Sequence, residues 1–356
     1  MHVVVLGAGR IGSFVARELA RSFEVLVVDK DMIKLESLRP LMDTLVLDVS
    51  NEDALINIIK GFDIVVNALP GGLGFKVIKA CIRTRKDLVD ISFMPENPLP
   101  LDKEIRDAGI TVVIDAGFAP GLSNILIGSI YRELGYIDEG EINVGCLPKN
   151  PKPPLYHTVL FSPLDLIDEY LRPARMLRGG KIVETSPLGI IERKKIMGFE
   201  FERFPTDGLR TMLYTIKAID LTEYTLRWPG HLEKMKTLWE LGFLDKENLA
   251  KTLEVILPKM VHKDVDISVM EVKGKSGNVE IVYTVYDEAR NGDLSIARTT
   301  GYTAISITRL LAMNKLNPGL VPPETLGIDP WAFNYILNEI RSTGIIVNTE
   351  KHVLDV

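Results

Sequence analysis

Six residues near the amino terminus, Gly7-Ala8-Gly9-Arg10-Ile11-Gly12, have the composition and spacing to cradle a pyrophosphate. They follow an apolar run, Val3-Leu6, and open a helical pattern through Phe14, Val15 and Leu19. In such a strand-turn-helix Gly7 permits the tight turn, Gly9 lets the backbone approach the phosphates and Gly12 lets helix and sheet pack closely. The phosphates then lie on the helix N-terminus. Glycine-rich turns also occur for purely structural reasons. It is the coincidence of strand, motif and helix that predicts dinucleotide binding by Gly7, Ala8, Gly9, Arg10 and Ile11. Asp29 closes the next apolar run about seventeen residues beyond Gly12, where a carboxylate accepts the hydroxyls of an adenosine ribose and repels a 2′-phosphate. That predicts NAD as the cofactor, with Lys30 next door partly offsetting the repulsion; the alternative is an aspartate that merely ends a strand. By the same logic Asp48-Val49 flank the adenine, and Ala68-Leu69-Pro70 lie near the nicotinamide ribose, because ligands bind at the carboxyl ends of such strands.

These residues need a scaffold, and the chain from Val3 to about Gly117 provides its pattern. Short runs at Val3-Leu6, Val25-Asp29, Thr44-Asp48, Ile64-Ala68, Leu88-Ile91 and Val112-Asp115 are nearly continuous in apolar residues, as strands covered on both faces must be. Helical stretches lie between them, one opening with Ser50 and Asp53 as a capping box. Strand-helix alternation of this kind predicts a Rossmann-type, doubly wound parallel sheet.

After Leu122 the texture changes. Glu141-Cys146, Tyr156-Phe161 and Lys181-Thr185 read as strands, separated by the proline-rich loop Pro148-Pro154 and the Gly179-Gly180 turn. A long hairpin follows at Ile267-Val272 and Val279-Tyr286, turned at Ser276-Gly277-Asn278. Helical patterns occupy Leu232-Leu241, Leu249-Lys259 and Tyr302-Met313, ahead of a turn-rich segment at Gly319-Gly327. The expected fold class is therefore α/β: a Rossmann domain over 1–122, completed by 300–356, plus an α+β substrate and dimerisation domain over 123–299.

Composition narrows the function classes. The chain has 356 residues, 46% of them hydrophobic, enough for two cores of ordinary size. Its 42 Lys and Arg against 48 Asp and Glu give a net charge of -6 without any block of like charge. Neither a nucleic-acid stripe nor a polybasic membrane patch is present, which leaves a small molecule as the expected partner. Cys81 and Cys146 stand outside any CxxC spacing, and the five histidines are scattered, so neither disulfides nor a structural metal is expected. With no signal segment and no long apolar run, a cytoplasmic protein is expected. Glutamine is absent while Lys, Glu and Arg are plentiful, a bias of hyperthermophile proteins.

Three further segments carry a family likeness: Val89-Asp90-Ile91-Ser92-Phe93, Asp115-Ala116-Gly117-Phe118-Ala119-Pro120-Gly121-Leu122-Ser123-Asn124, and Thr225-Leu226-Arg227-Trp228-Pro229-Gly230. With the amino-terminal fingerprint and Gly319-Leu320-Val321-Pro322-Pro323-Glu324 they resemble the saccharopine dehydrogenase superfamily, most of all its L-lysine 6-dehydrogenase branch. The saccharopine reductases of that superfamily carry an aspartate where this chain has Ala119. The resemblance implies a homodimer whose second domain supplies the substrate pocket and the dimer interface. It also implies NAD-dependent oxidative deamination of L-lysine at the ε-carbon, releasing ammonia. A saccharopine or carboxyspermidine-type reductase of the same superfamily, or a non-catalytic NAD-binding protein, are the alternatives.

That chemistry needs a deprotonated amine, whose ordinary pKa is near 10.4, and hence a positioned base or desolvation. Asp90 and Asp115 end neighbouring strands in one row and are candidates, against the alternatives of holding the next turn and supporting the next helix. His157 is a candidate proton shuttle or a satisfied core histidine. A substrate carboxylate asks for a bidentate arginine. Arg210 and Arg227 are the candidates, each alternatively an ion pair, with Arg172 and Arg175 behind them. His231 reads as the start of a helix. Phe93, Asn124 and Thr225 lie in the matching segments and join the candidate substrate contacts.

Overall fold

A computed structural model describes residues 1–260 and 265–354. In chain order the elements begin β1 His2–Leu6, α1 Arg10–Leu19, β2 Glu24–Asp29, α2 Met32–Glu36, β3 Asp43–Val46, α3 Glu52–Ile59, β4 Ile64–Asn67, α4 Gly74–Thr84, β5 Asp87–Asp90, α5 Asp102–Ala108, β6 Thr111–Val113 and α6 Leu122–Leu134. They continue with β7 Ile137–Pro148, α7 Pro163–Leu171, β8 Ala174–Arg178, β9 Lys181–Thr185, β10 Glu192–Ile196, β11 Phe199–Pro205, α8 Met212–Thr215, β12 Ala218–Arg227, α9 Leu232–Glu240, α10 Lys246–Met260, β13 Asp266–Ser276 and β14 Val279–Glu288. The chain closes with α11 Ser295–Ala312, β15 Gly319–Val321, α12 Pro323–Ile328, α13 Pro330–Ser342 and β16 Ile346–Val353.

Two compact units result, Met1–Ser129 with Ala297–Gly344, and Ile130–Ile296 with Ile345–Val356. The first holds an all-parallel sheet of order β15-β6-β5-β4-β1-β2-β3, the doubly wound arrangement expected from the strand-helix alternation. Its central strands are apolar on both faces because helices cover both; Val3, Val4, Val5 and Leu6 are all fully buried. The second unit is built on a nine-stranded mixed sheet whose main path runs β10-β11-β12-β7-β13-β14-β16, with β8 and β9 branching from β12. The β8-β9 hairpin turns at Gly179 and Gly180, both at positive φ, +58° and +72°, the backbone that matches the twist of its strands.

Four expectations are corrected. Asn51, not Ser50, caps α3, its side chain accepting from the Ala54 amide. Tyr156-Phe161 is not a strand: its apolar side chains pack in a buried loop, where Leu155, Val159 and Leu166 share a cluster. Gly319-Gly327 is a strand followed by a helix, because Leu320 and Val321 continue the parallel sheet beside β6. Residues 300–356 do not stay together, since β16 pairs antiparallel with β14 in the second sheet. No helix of the described residues is long and apolar enough to cross a membrane.

Candidate functional site

The loop between β1 and α1 is tightly packed before any ligand is considered. Gly7 has φ +102°, and a Cβ there would lie 2.8 Å from the Ala68 carbonyl oxygen. A Cβ on Gly12 would lie 2.0 Å from the Gly7 carbonyl oxygen, so both glycines are required by the protein itself. Gly9 is different: a Cβ would meet no protein atom within 4 Å. Packing does not demand glycine there, so the reason left is close approach by a ligand. Gly9 caps α1 without a side-chain partner, which leaves the first-turn amides to an anion. Arg10 is exposed and Ile11 half-buried on that turn.

Asp29 is 8% exposed at the end of β2. Its Oδ2 accepts from the Ala8 amide at 2.7 Å and its Oδ1 from the Asp31 amide at 2.9 Å. The carboxylate is thereby fixed against the phosphate loop, while Lys30 beside it is exposed. Asp48, after β3, is exposed and accepts from the Ser50 amide at 2.9 Å. Hydrogen bonds from Ser50 hold its carboxyl below the usual range. Val49 is buried. Ala68 and Leu69 are half-buried and Pro70 exposed, the Leu69 amide donating to Asn67 Oδ1 at 3.2 Å. The donors and the open side of Gly9 fit a dinucleotide.

At the ends of β4, β5 and β6 lies a second polar group. Asp90 is fully buried. Its Oδ2 accepts from Asn67 Nδ2 at 2.9 Å and its Oδ1 from the Ser92 amide at 2.6 Å. Burial pushes its carboxyl up to about 6 against the hydrogen bonds of Ser92 and Asn67, and the nearby Asp115 adds to the rise. With both oxygens engaged inside the unit, Asp90 holds the turn that carries Ser92 and half-buried Phe93. Asp115 is 1% exposed and takes φ +49°, a strained conformation for a non-glycine residue.

The stretch from Gly117 to Asn124 folds onto itself. The Gly117 amide donates to the Pro120 carbonyl at 3.1 Å and Leu122 N to the Gly117 carbonyl at 2.9 Å. Gly121 has φ +136°, with Gly117 O only 2.0 Å from where its Cβ would be. Asn124 is fully buried, and its Oδ1 accepts from Gly121 N at 3.0 Å and Ser123 Oγ at 3.1 Å, while Nδ2 reaches Glu324 Oε2 at 3.4 Å. Its amide builds the loop.

In the second unit, β12 carries Thr225 and Arg227. Thr225 Oγ1 meets Thr206 Oγ1 at 2.8 Å. Asp207 binds Arg175 through two contacts, Nε at 2.7 Å and Nη2 at 2.8 Å, so Arg175 is held as an ion pair. Arg210 is buried at φ +53°. A Cβ on Gly208 would lie 1.6 Å from Glu223 Oε1, which packs the Thr206–Arg210 loop onto β12.

Arg227 is 2% exposed. Its Nε donates to Tyr170 Oη at 2.9 Å, Nη1 to the Leu226 carbonyl at 2.9 Å and Nη2 to Glu169. The guanidinium also lies 5.5 Å and 5.6 Å from the Tyr170 and Phe204 ring centroids. Arg227 is the cation of a buried internal pair. Tyr170 Oη in turn lies 2.8 Å from His231 Nε2, and His231 Nδ1 is 2.6 Å from the Leu155 carbonyl. His157, 2% exposed, sits beside this group with its ring centroid 5.2 Å from that of His231. Burial and the Arg227 charge drive its pKa well below the ordinary imidazole value.

The structure thus brings Asp90 and Asp115 together, and His157 with Arg227. Sequence reasoning missed Asn67, Glu169 and Tyr170. Asn67 had a signal in its place at a strand end, and Ser162-Pro163 signals a capped helix start for α7. Nothing local in the sequence marks Tyr170 as a partner of Arg227, 57 residues away.

Residues 3–113 match the family model described as Saccharopine dehydrogenase NADP binding domain, and residues 117–345 that described as Saccharopine dehydrogenase C-terminal domain. The first unit therefore carries a nicotinamide-dinucleotide-binding domain. Over 264 residues the chain is 28% identical to the mitochondrial alpha-aminoadipic semialdehyde synthase of Rattus norvegicus, covering 69% of this chain and 28% of that protein. It is 27% identical over 260 residues to saccharopine dehydrogenase [NADP(+), L-glutamate-forming] of Saccharomyces cerevisiae, covering 68% of this chain and 58% of that one. The matches thus span less than two thirds of these relatives. The structure of apo histidine-tagged saccharopine dehydrogenase (L-Glu forming) from Saccharomyces cerevisiae superposes with a TM-score of 0.79 at 20% identity, over 98% of this chain and 99% of that one, and shares its fold. Two family models that between them take in both sheets leave one assignment: the chain belongs to the saccharopine dehydrogenase family.

Proposed function

We propose that this chain is an NAD-dependent amino-acid dehydrogenase that deaminates L-lysine oxidatively at its ε-carbon: hydride goes from that carbon to NAD, giving NADH, and water hydrolyses the resulting imine to ammonia and allysine, which cyclises to a piperideine carboxylate. The observation that carries the reading is Asp29, held by the Ala8 and Asp31 amides against the loop that fits the pyrophosphate. A fixed carboxylate there accepts ribose hydroxyls and repels a 2′-phosphate. Gly7, Ala8, Gly9, Arg10, Ile11 and Asp29 would hold the cofactor, which when bound accepts the hydride from the carbon bearing the amine. Asp115, at the end of β6 in a strained backbone, takes the proton of the ε-ammonium, and buried Asp90 behind it keeps the pair from ionising together. Arg210, buried in the loop packed onto β12, is the arginine assigned to the α-carboxylate. Ala119 supports lysine over saccharopine, because it withholds the carboxylate that saccharopine reductases carry at that position.

The names of the relatives support a second reading, turnover of saccharopine itself. NADH production from lysine alone and from saccharopine, with ammonia assayed in the same reaction, separates the two. Turnover of saccharopine with none of lysine promotes the second reading. Binding of NAD with no turnover on any amino acid reduces the protein to a dinucleotide-binding one.

A homodimer accompanies the proposal. Phe199 is 37% exposed and Ile346 49% exposed, beside the Phe201-Trp228 pair and stacked Tyr286 on one face of the nine-stranded sheet. Such a patch suits a second copy of the chain. Sedimentation of wild type and Phe199→Asp checks it, the variant shifting toward monomer.

A further inference from the structure

Asn67 closes β4 and is fully buried. Its Oδ1 accepts from the Leu69 amide at 3.2 Å, and its Nδ2 donates to Asp90 Oδ2 at 2.9 Å. The backbone repeats the link, the Ile91 amide donating to the Asn67 carbonyl at 2.9 Å. Asp90 Oδ1 in turn holds the Ser92 amide at 2.6 Å. Beyond the strand ends the two loops touch. A Cβ on Gly71 would lie 2.3 Å from the Phe93 carbonyl oxygen, and one on Gly74 would lie 2.1 Å from Ser92 Oγ. Residues 67–74 and 90–94 are therefore packed as one piece, and opening either loop strains the hydrogen bonds of the other.

One edge of that piece borders the phosphate loop. In the order β15-β6-β5-β4-β1-β2-β3 the chain runs one way from β1 and the other way from β4. The crevice at the carboxyl ends of β1 and β4 is thus the switch point at which a doubly wound sheet takes its ligand. Across it, the Cβ position of Gly7 is 2.8 Å from the Ala68 carbonyl oxygen and 3.4 Å from the Leu69 nitrogen. With Asp29 on the β2 side taking the adenosine ribose, the other half of a dinucleotide extends to the β4 side, over residues 68–70. An aspartate in place of Asn67 would also accept from the Leu69 amide, but when ionised it has no hydrogen to give the Asp90 carboxylate. Asparagine does more than shape its own turn, because its donor is aimed at the next strand.

We propose that Asn67 is a positioning residue for the nicotinamide half of the dinucleotide: its amide ties the Ala68-Leu69-Pro70 rim to the Asp90 turn, so that cofactor binding orders residues 90–94. Asn67 acts through Leu69 and Asp90, not by touching the cofactor. This role rests on the reading of residues 68–70 as the contacts of the nicotinamide ribose, and it needs no particular amino-acid substrate.

The test compares NAD with ADP, which carries the adenosine and the pyrophosphate but no nicotinamide ribose. Amide hydrogen exchange of the whole protein is followed at Ile91 and Ser92, and affinities are measured by titration calorimetry, in wild type, Asn67→Ala and Asn67→Leu. The leucine variant keeps the volume that alanine removes, and thermal unfolding without ligand checks that each variant folds. In wild type, saturating NAD is expected to slow exchange at the two amides about tenfold more than saturating ADP does. In the variants that extra slowing falls below about threefold. Their dissociation constant for NAD rises about tenfold, the loss of roughly one buried hydrogen bond, while that for ADP stays within about twofold of wild type. A wild type in which NAD protects residues 90–94 no better than ADP overturns the proposal without any variant. Undiminished protection in both variants overturns it as well, since the cofactor then acts on the turn directly. Equal losses of NAD and ADP affinity make Asn67 a support of the whole domain and also overturn it. Failure to turn over lysine or saccharopine counts against the dehydrogenase reading and leaves these outcomes as they stand. A preference for NADP sinks the reading of Asp29 alone, and the same comparison is then made between NADP and 2′-phosphorylated ADP, with the same results expected.

Discussion

Gly9→Ala separates a glycine kept for a ligand from glycines kept for the fold. The backbone at Gly9, φ -69° and ψ -176°, is open to any residue, and a Cβ there meets no protein atom within 4 Å. Alanine is a poorer helix N-cap than glycine by about 0.5–1 kcal/mol. It also removes freedom from the unfolded chain, which contributes about 0.4–1 kcal/mol in the opposite sense. The two nearly cancel, so thermal unfolding without dinucleotide should match wild type. A bound pyrophosphate, however, has to come within van der Waals contact of that carbon, and an inserted methyl typically costs about 1–3 kcal/mol of overpacking. The dissociation constant for NAD should rise about 5- to 150-fold. Gly12→Ala is the control, because its Cβ would lie 2.0 Å from a backbone carbonyl oxygen that cannot move aside; it should lose stability as well as affinity. The assay is thermal unfolding of the ligand-free proteins, followed by titration calorimetry with NAD and with NADH. An unchanged NAD affinity in Gly9→Ala, or a fall in unfolding temperature equal to that of Gly12→Ala, refutes the reasoning.

Asp29→Ala should lower kcat/KM with NAD while leaving or improving that with NADP, since the repulsive carboxylate goes with the ribose contact; a wild type that prefers NADP sinks the reading of Asp29. Arg227→Ala should cost about 3–5 kcal/mol of stability by leaving Glu169 and Tyr170 without their buried partner, measured by denaturant unfolding, and a variant as stable as wild type would show the pair to be dispensable. Glu141 is held at about 2, burial pushing its carboxyl up but the hydrogen bonds from Lys194 and Asn143 and the charges of Arg203 and Lys194 outweighing it. A carboxylate depressed in the fold stabilises above its unfolded value of 4.5 and loses that contribution as pH falls toward 2. The stability difference between wild type and Glu141→Gln should therefore be present at pH 7 and shrink between about pH 4.5 and 2, and a difference independent of pH would refute it.

Strands β1 to β6 of the parallel sheet were legible in the sequence because each is a near-continuous apolar run bounded by a helix-length segment, a pattern that few other arrangements satisfy, whereas β15 lay in a segment read as turn-rich. The second sheet was only half legible. β13 and β14 alternate along a long hairpin and were readable, whereas β10 and β11 are charged on one face, and β12 pairs parallel with β7 some eighty residues earlier in the chain. The loop 156–161 has the composition of a strand but lies in a buried bend, where its apolar residues serve a core formed with α7, α9 and α10. Composition alone does not tell a buried strand from a buried loop.

The candidate sites divide along the same line. The cofactor end is local: the Gly7–Gly12 spacing and the carboxylate at the end of β2 lie in one strand-helix-strand unit, so their geometry follows from residues near one another in sequence, and Gly7, Gly12 and Asp29 stand where the pattern puts them. The contacts of Asn124 and Arg227 are made with partners that no local pattern reveals. Asn124 meets Glu324 across 200 residues, and Arg227 meets Tyr170 across 57 and Glu169 across 58. An arginine or an amide in a sequence is only a set of donors. Whether it faces a ligand or closes an internal pair depends on which distant acceptor the fold buries against it, and desolvation makes that pairing obligatory once both are inside. The sequence by itself determined the Rossmann sheet and the phosphate loop; the tertiary structure decided which distant acceptor each buried polar residue meets.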